Sequence, residues 1–262
     1  MSRPRNSKDK QRLQLKTVAL MNGLRIRTGA QNVSQFSEWI NQRTEHFGWP
    51  DMKDSNKWYK YFKGDVSQEP RRVLRLLKEL FPETFSFFNE GPARIWTAMW
   101  SPSVETLWSI CGFTGCEYQD QDSDEGICLT GQPLTFCESA YNFECSLLMK
   151  IDFGDTLELR DLTDSIAIYR IHQMINSIHK TDEIGPYRCV RICLDDTNII
   201  SELKSLGIYE FINEELINTE IARLKSEPCY RISVGAEDLD FYASHPFLHC
   251  PIQERMSMLR IG

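Results

Sequence analysis

The reading of the fold turns on residues 56–82, NKWYKYFKGDVSQEPRRVLRLLKELFP. At helical spacing its first eight residues divide into two faces. Trp58, Tyr61 and Phe62 turn to a core, and Asn56, Lys57, Lys60 and Lys63 turn outward. Asp54 or Ser55 is placed to cap this short helix and Gly64 to end it. Pro70 suits the first turn of a following helix, which Arg71, Arg72 and Arg75 open and which turns Val73, Leu76, Leu77 and Leu80 inward. Pro82 closes the stretch.

Toward the N-terminus, residues 8–28 form a helical pattern with Leu13, Leu20, Met21 and Leu24 on one face, and Gly29 is placed to end it. Asn32 can cap a second helix carrying Phe36, Trp39, Ile40, Arg43 and Phe47. Downstream, the aromatic-rich segment 81–100, FPETFSFFNEGPARIWTAMW, reads as short helices that close this core, or as an exposed protein-docking patch. Gly91-Pro92 and Ser101-Pro102 mark the domain junction.

Charge divides at the same place. The chain of 262 residues carries a net −7, but residues 1–82 carry +9 and residues 83–262 carry −16. A basic head suits a polyanionic partner and an acidic body does not. In a nucleic-acid reading, Asn56 offers a carboxamide that matches the adenine N6/N7 edge, and the three lysines meet guanine or phosphate. Arg71, Arg72 and Arg75 lie where phosphate also finds free helix N–H groups. Arg3 and Arg5 extend the contact to the backbone or minor groove.

The same stretch resembles the second half of lambda-repressor-like (Cro-type) helix-turn-helix domains. Trp58, Phe62, Lys63-Gly64, Pro70, Leu74 and Leu77 occupy matching positions. The resemblance implies that residues 33–41 form the first helix of the motif, and that the chain is a DNA-binding transcriptional regulator of bacterial type. Such motifs join their helices by a turn of about four residues. Here Gln42 to Lys53 intervene, so the first helix is longer or the turn carries an insertion.

The acidic remainder reads as mixed α/β. Residues 143–151 (FECSLLMKI), 188–194 (RCVRICL) and 229–234 (CYRISV) look like strands. Residues 161–180, with Ile168, Ile171, Ile175 and Ile178 in a stripe, and residues 208–225 look like helices between them, the stripe packing on the sheet. The expected fold is therefore α+β: an all-helical domain over 1–92 and a mixed α/β domain over 93–262 that senses, oligomerises or acts as an effector.

That half carries few residue patterns that point to chemistry. Nine cysteines without a CxxC pair, and no secretory leader, point to reduced, mostly buried thiols in a cytoplasmic protein. Asp120, Asp122 and Asp124 begin like a calcium loop but lack its glycine and its closing glutamate. His172 and His179 share a helix face near Asp164 and Glu183 in sequence, without a nucleophile. Asp195-Asp196 suits a helix cap better than a strand-end site. No P-loop, dinucleotide fingerprint or nucleophile elbow occurs, so no cofactor, no metal and no catalytic residue is expected. No apolar run is long enough for a membrane span. The expected partner is DNA, or structured RNA or an RNA–DNA hybrid, with a homodimer left open. The rival expectation is an effector of a phage-defence or toxin system, in which the basic domain localises or restrains the acidic one.

Overall fold

The structure is a computed structural model that describes residues 7–45, 56–111, 136–175 and 186–245. Among these residues every regular element is a helix and no strand occurs. The chain runs through α1 (Ser7–Thr28), α2 (Val33–Thr44), α3 (Lys57–Phe62), α4 (Arg71–Leu80), α5 (Thr84–Glu90), a 3-10 turn (Pro92–Arg94), α6 (Ile95–Trp100) and α7 (Val104–Ile110). It continues as α8 (Phe136–Phe153), α9 (Leu159–Met174), α10 (Pro186–Asp195), α11 (Thr197–Leu206), α12 (Tyr209–Ser226), α13 (Pro228–Ser233) and α14 (Leu239–Ser244). It divides into two compact units. The first is Met1–Trp96 with Ile200–Asn213, and the second is Thr97–Ile199 with Glu214–Gly262.

The α+β expectation is overturned, because every regular element among the second unit's described residues is a helix. The three expected strands lie in α8, α10 and α13. The physical reason is that polar residues point inward and hide the helical period. In α10, Tyr187, Val190, Arg191 and Leu194 are buried at i, i+3, i+4 and i+7. Scored as polar, Arg191 breaks that stripe into two short apolar runs, Cys189-Val190 and Ile192-Cys193-Leu194; in space it pairs with Asp195 at 2.8 Å one turn on. In α8 the buried set is Phe143, Glu144 and Leu147, again with a charged member. In α13, Tyr230 is the buried residue.

Helix α9 is the axis of the second unit. Every residue from Asp161 to Tyr169 is buried, so the isoleucine stripe packs on helices rather than on a sheet, and Ile175 at its end is exposed. Ile178 lies outside the described residues. A helix buried all round must satisfy its own polar groups. Thr163 and Ser165 donate back to the carbonyls of Leu159 and Asp161 at 3.1 and 2.8 Å. Asp161 accepts from the Glu158 backbone N–H at 2.9 Å and from Lys150 at 2.7 Å. Arg170 reaches the carbonyls of Met99 and Ser101. Asp196 caps α11, accepting from the backbone N–H of Asn198 and Ile199 at 2.9 and 3.1 Å, while Asp195 belongs to the Arg191 pair.

In the first unit α1 is the axis. Leu13, Leu20, Met21 and Leu24 enter the core as the spacing predicts, joined by Phe36, Ile40, Trp58, Leu74 and Leu77. Two glycines in left-handed backbone close onto α1. Gly64 follows α3 at φ +68, and a Cβ there would stand 3.0 Å from Val18 Cγ2 and 3.2 Å from the Gln14 carbonyl oxygen. Gly207 joins α11 to α12 at φ +73, with Val18 Cγ1 and Asn22 Nδ2 each 3.1 Å from such a Cβ. Asn22 also donates to the Leu206 carbonyl at 3.2 Å. Residues 81–100 fold inward as well. Phe81, Phe88, Ile95 and Trp96 are buried, which leaves no broad aromatic docking patch there.

Gly207→Ala is expected to cost the left-handed penalty of roughly 1–2 kcal/mol. Gly64→Ala costs more, since its Cβ also meets a fixed backbone oxygen. Urea unfolding of the two variants checks the order, and a Gly64→Ala loss no larger than that of Gly207→Ala would contradict the packing described.

Candidate nucleic-acid interface

The candidate interface begins at Asn32. Its extended backbone and its side chain, which accepts from the Gln35 backbone N–H at 3.0 Å, start α2 as a cap should. Helix α2 continues to Thr44, three residues past the end implied by the family resemblance. Residues 46–55, with the proposed caps Asp54 and Ser55, lie outside the described residues, as do Arg3 and Arg5.

Helix α3 is anchored by one side chain. Trp58 is only 1% exposed and meets Phe36 of α2 edge-on at 5.4 Å between ring centroids. Phe62 reaches the same Phe36 at 5.4 Å, and Tyr61 flanks Trp58 at 6.2 Å. Edge-to-face rings of this kind contribute about 0.5–1.5 kcal/mol per pair beyond the area they bury. With that face held inward, the helical period places Asn56, Lys57, Lys60 and Lys63 within about 120° of one another on the opposite side. All four are exposed, and so are Arg71, Arg72 and Arg75 at the start of α4. Arg71 lies 3.5 Å from Glu69. Among the described residues, no carboxylate pairs with Lys57, Lys60, Lys63, Arg72 or Arg75.

Sequence reasoning missed two features. Tyr59 is exposed and shares a 2.8 Å hydrogen bond with Ser34 in the first turn of α2, tying the two helices together at the surface. Hydropathy assigns no direction to a tyrosine, so the pattern gave no signal for this bond. The other is a buried polar group in the second unit, where Glu220 accepts from both Tyr169 and Tyr230. Its signal was present but unread: Leu216, Glu220 and Leu224 repeat at i, i+4 and i+8 with a carboxylate in the middle.

His172 is buried with its ring 5.9 Å from Tyr230, and His179 and Glu183 lie outside the described residues. Asp164 pairs with Arg160 at 3.0 Å. Cys111, Cys189 and Cys193 are buried, and burial pushes the Cys111 and Cys193 thiols up to about 12, which makes them poor nucleophiles. The calcium-like aspartates 120, 122 and 124 lie outside the described residues. Among the described residues no His, Cys, Asp and Glu cluster could hold a metal ion, and no helix is long and apolar enough to cross a membrane.

Comparison with known proteins finds no matching family model, no matching curated relative and no matching solved structure.

Trp58→Ala should cost about 3–5 kcal/mol, as for other buried tryptophans. Lys57→Ala and Lys60→Ala should stay within about 0.5 kcal/mol, as exposed substitutions do. Chemical denaturation followed by tryptophan-independent circular dichroism measures all three. A destabilised Lys60→Ala would mean that α3 does not present this face to solvent.

Proposed function

We propose that this chain binds nucleic acid through its first unit, with α3 as the reading helix of a helix-turn-helix and duplex DNA as the target, and that it acts as a transcriptional regulator. The observation that carries the reading is the two-sided character of α3. Trp58 is locked against Phe36, while Asn56, Lys57, Lys60 and Lys63 face solvent without carboxylate partners among the described residues. A helix that enters a major groove needs this division, with a rigid apolar back and a polar front.

Each residue has a role in this reading. Asn56 reads a base edge, for which a carboxamide suits adenine, and the lysines supply guanine or phosphate contacts. Arg71, Arg72 and Arg75 bind phosphate and fix register without specifying sequence. The Ser34–Tyr59 bond holds α2 to α3 so that the front keeps one angle to the groove. The acidic second unit repels phosphate and so favours approach by the basic surface alone.

Binding should weaken steeply as salt rises, because each lysine–phosphate contact releases a counterion and adds about −0.9 to the log–log slope on duplex DNA. Lys57→Glu with Lys60→Glu should abolish binding and leave the unfolding midpoint unchanged. Gel shifts with duplex DNA, structured RNA and an RNA–DNA hybrid over a salt series decide the matter. Salt-independent binding, or binding to none of the three, would overturn the reading. Binding confined to structured RNA or the hybrid would move the target without moving the site.

A further inference from the structure

Glu220, on α12, is 0% exposed. Both of its oxygens are in use. Oε2 accepts from the Tyr169 hydroxyl of α9 at 2.7 Å, and Oε1 accepts from the Tyr230 hydroxyl of α13 at 2.9 Å. Both donors are neutral, and among the described residues no cation hydrogen-bonds to this carboxylate.

The cation of the cluster is Arg223, one turn along α12 and 2% exposed. Its guanidinium lies 3.7 Å over the Tyr230 ring and 5.8 Å from that of Tyr169. Its Nε bonds Glu227 at 3.0 Å, and its Nη1 has no hydrogen-bond partner. From the other elements, α9 adds His172, 5.9 Å from the Tyr230 ring. Helix α10 adds Tyr187, 5.3 Å from the Tyr169 ring, Arg191 paired to Asp195, and Arg188. Helix α14 adds Tyr242, stacked on Tyr187 at 6.3 Å.

When ionised, Glu220 has no hydrogen-bonded cation of its own among the described residues. Arg223 then faces two carboxylates, Glu220 and Glu227, and Arg191 is already committed to Asp195. The ionised carboxylate then stands in a dry interior on neutral donors alone, where charge is costly. Protonation removes that charge, and one of the two phenol oxygens then accepts a hydrogen bond from the carboxyl O–H instead of donating one. We propose that Glu220 is a proton-operated latch of the second unit: proton uptake closes the α9–α12–α13 junction and proton loss loosens it. The inference is independent of nucleic-acid binding.

Burial raises the Glu220 carboxyl to about 7, partly opposed by the two hydroxyls and by Arg223. An unfolded glutamate titrates near 4.5. The folded chain therefore holds this proton more tightly than the unfolded chain does. The stabilisation is complete below about 4.5 and is lost as pH rises through about 7. Between pH 6 and pH 8 the latch alone accounts for about a tenfold loss in the closed-to-open ratio.

The test is amide hydrogen exchange on the full chain at pH 6 and pH 8, corrected for the intrinsic exchange rate, in wild type and Glu220→Gln. Protection in α9, α12 and α13 should fall about tenfold more in wild type than in Glu220→Gln, whose amide stays neutral. Parallel pH dependences in the two proteins would overturn the proposal. Should Glu220→Gln fail to fold, Tyr169→Phe serves instead. It removes a hydrogen bond that favours the ionised carboxylate, so the midpoint of the protection loss should shift to higher pH. A midpoint unchanged or lowered would overturn the proposal equally.

Discussion

Val18 of α1 is touched from two directions by backbone that carries no side chain. Gly64 brings in the end of α3, and Gly207 brings in the corner between α11 and α12. Both sit in the left-handed region, where a glycine avoids the strain a side chain would meet. The first unit depends on this double approach. It sets how closely α3 lies on α1, and thus how firmly Trp58 is held beneath the lysines. It also draws residues 200–213, more than a hundred positions later in sequence, into the same unit as the basic helices.

The second unit depends on a different constraint. Its central helix α9 is buried on every side yet carries Asp161, Thr163, Asp164, Ser165, Tyr169 and His172 among its buried residues. Such a helix is stable where its polar groups have partners, since an unsatisfied buried group costs about 1–3 kcal/mol. The hydroxyls of Thr163 and Ser165 use the preceding turn, Asp161 uses Lys150 and a backbone N–H, and Tyr169 uses Glu220. The network favours one packing of α9 against its neighbours, because shifted packings leave some of these groups without partners.

The two halves differed in how readable they were, for one physical reason. In α1, α2 and α4 the inward positions are mainly Leu, Met, Phe, Ile and Val, with no charged residue among them, so the 3.6-residue period is written in residues that hydropathy recognises. Gly29, Asn32 and Gly64 mark helix ends through local backbone chemistry that needs no tertiary partner. In α8 and α10 the inward positions include Glu144 and Arg191. A charge at an inward position breaks the apolar stripe into short runs, and short runs rich in Val, Ile and Cys resemble strands. The pattern of α12 reads as a helix despite its buried Glu220 and Arg223, so there the charges hid the polar core and not the element.

The sequence by itself determined the charge division, the helical first unit and the two faces of α3, because each of these follows from local periodicity and composition. Only the tertiary structure decided that the second unit is helical, that residues 200–213 belong with the first, and that Glu220 is enclosed between two tyrosines. Each of those depends on which distant residue supplies a hydrogen bond or a close backbone approach. A partner 51 residues away, as Glu220 is from Tyr169, has no local signature.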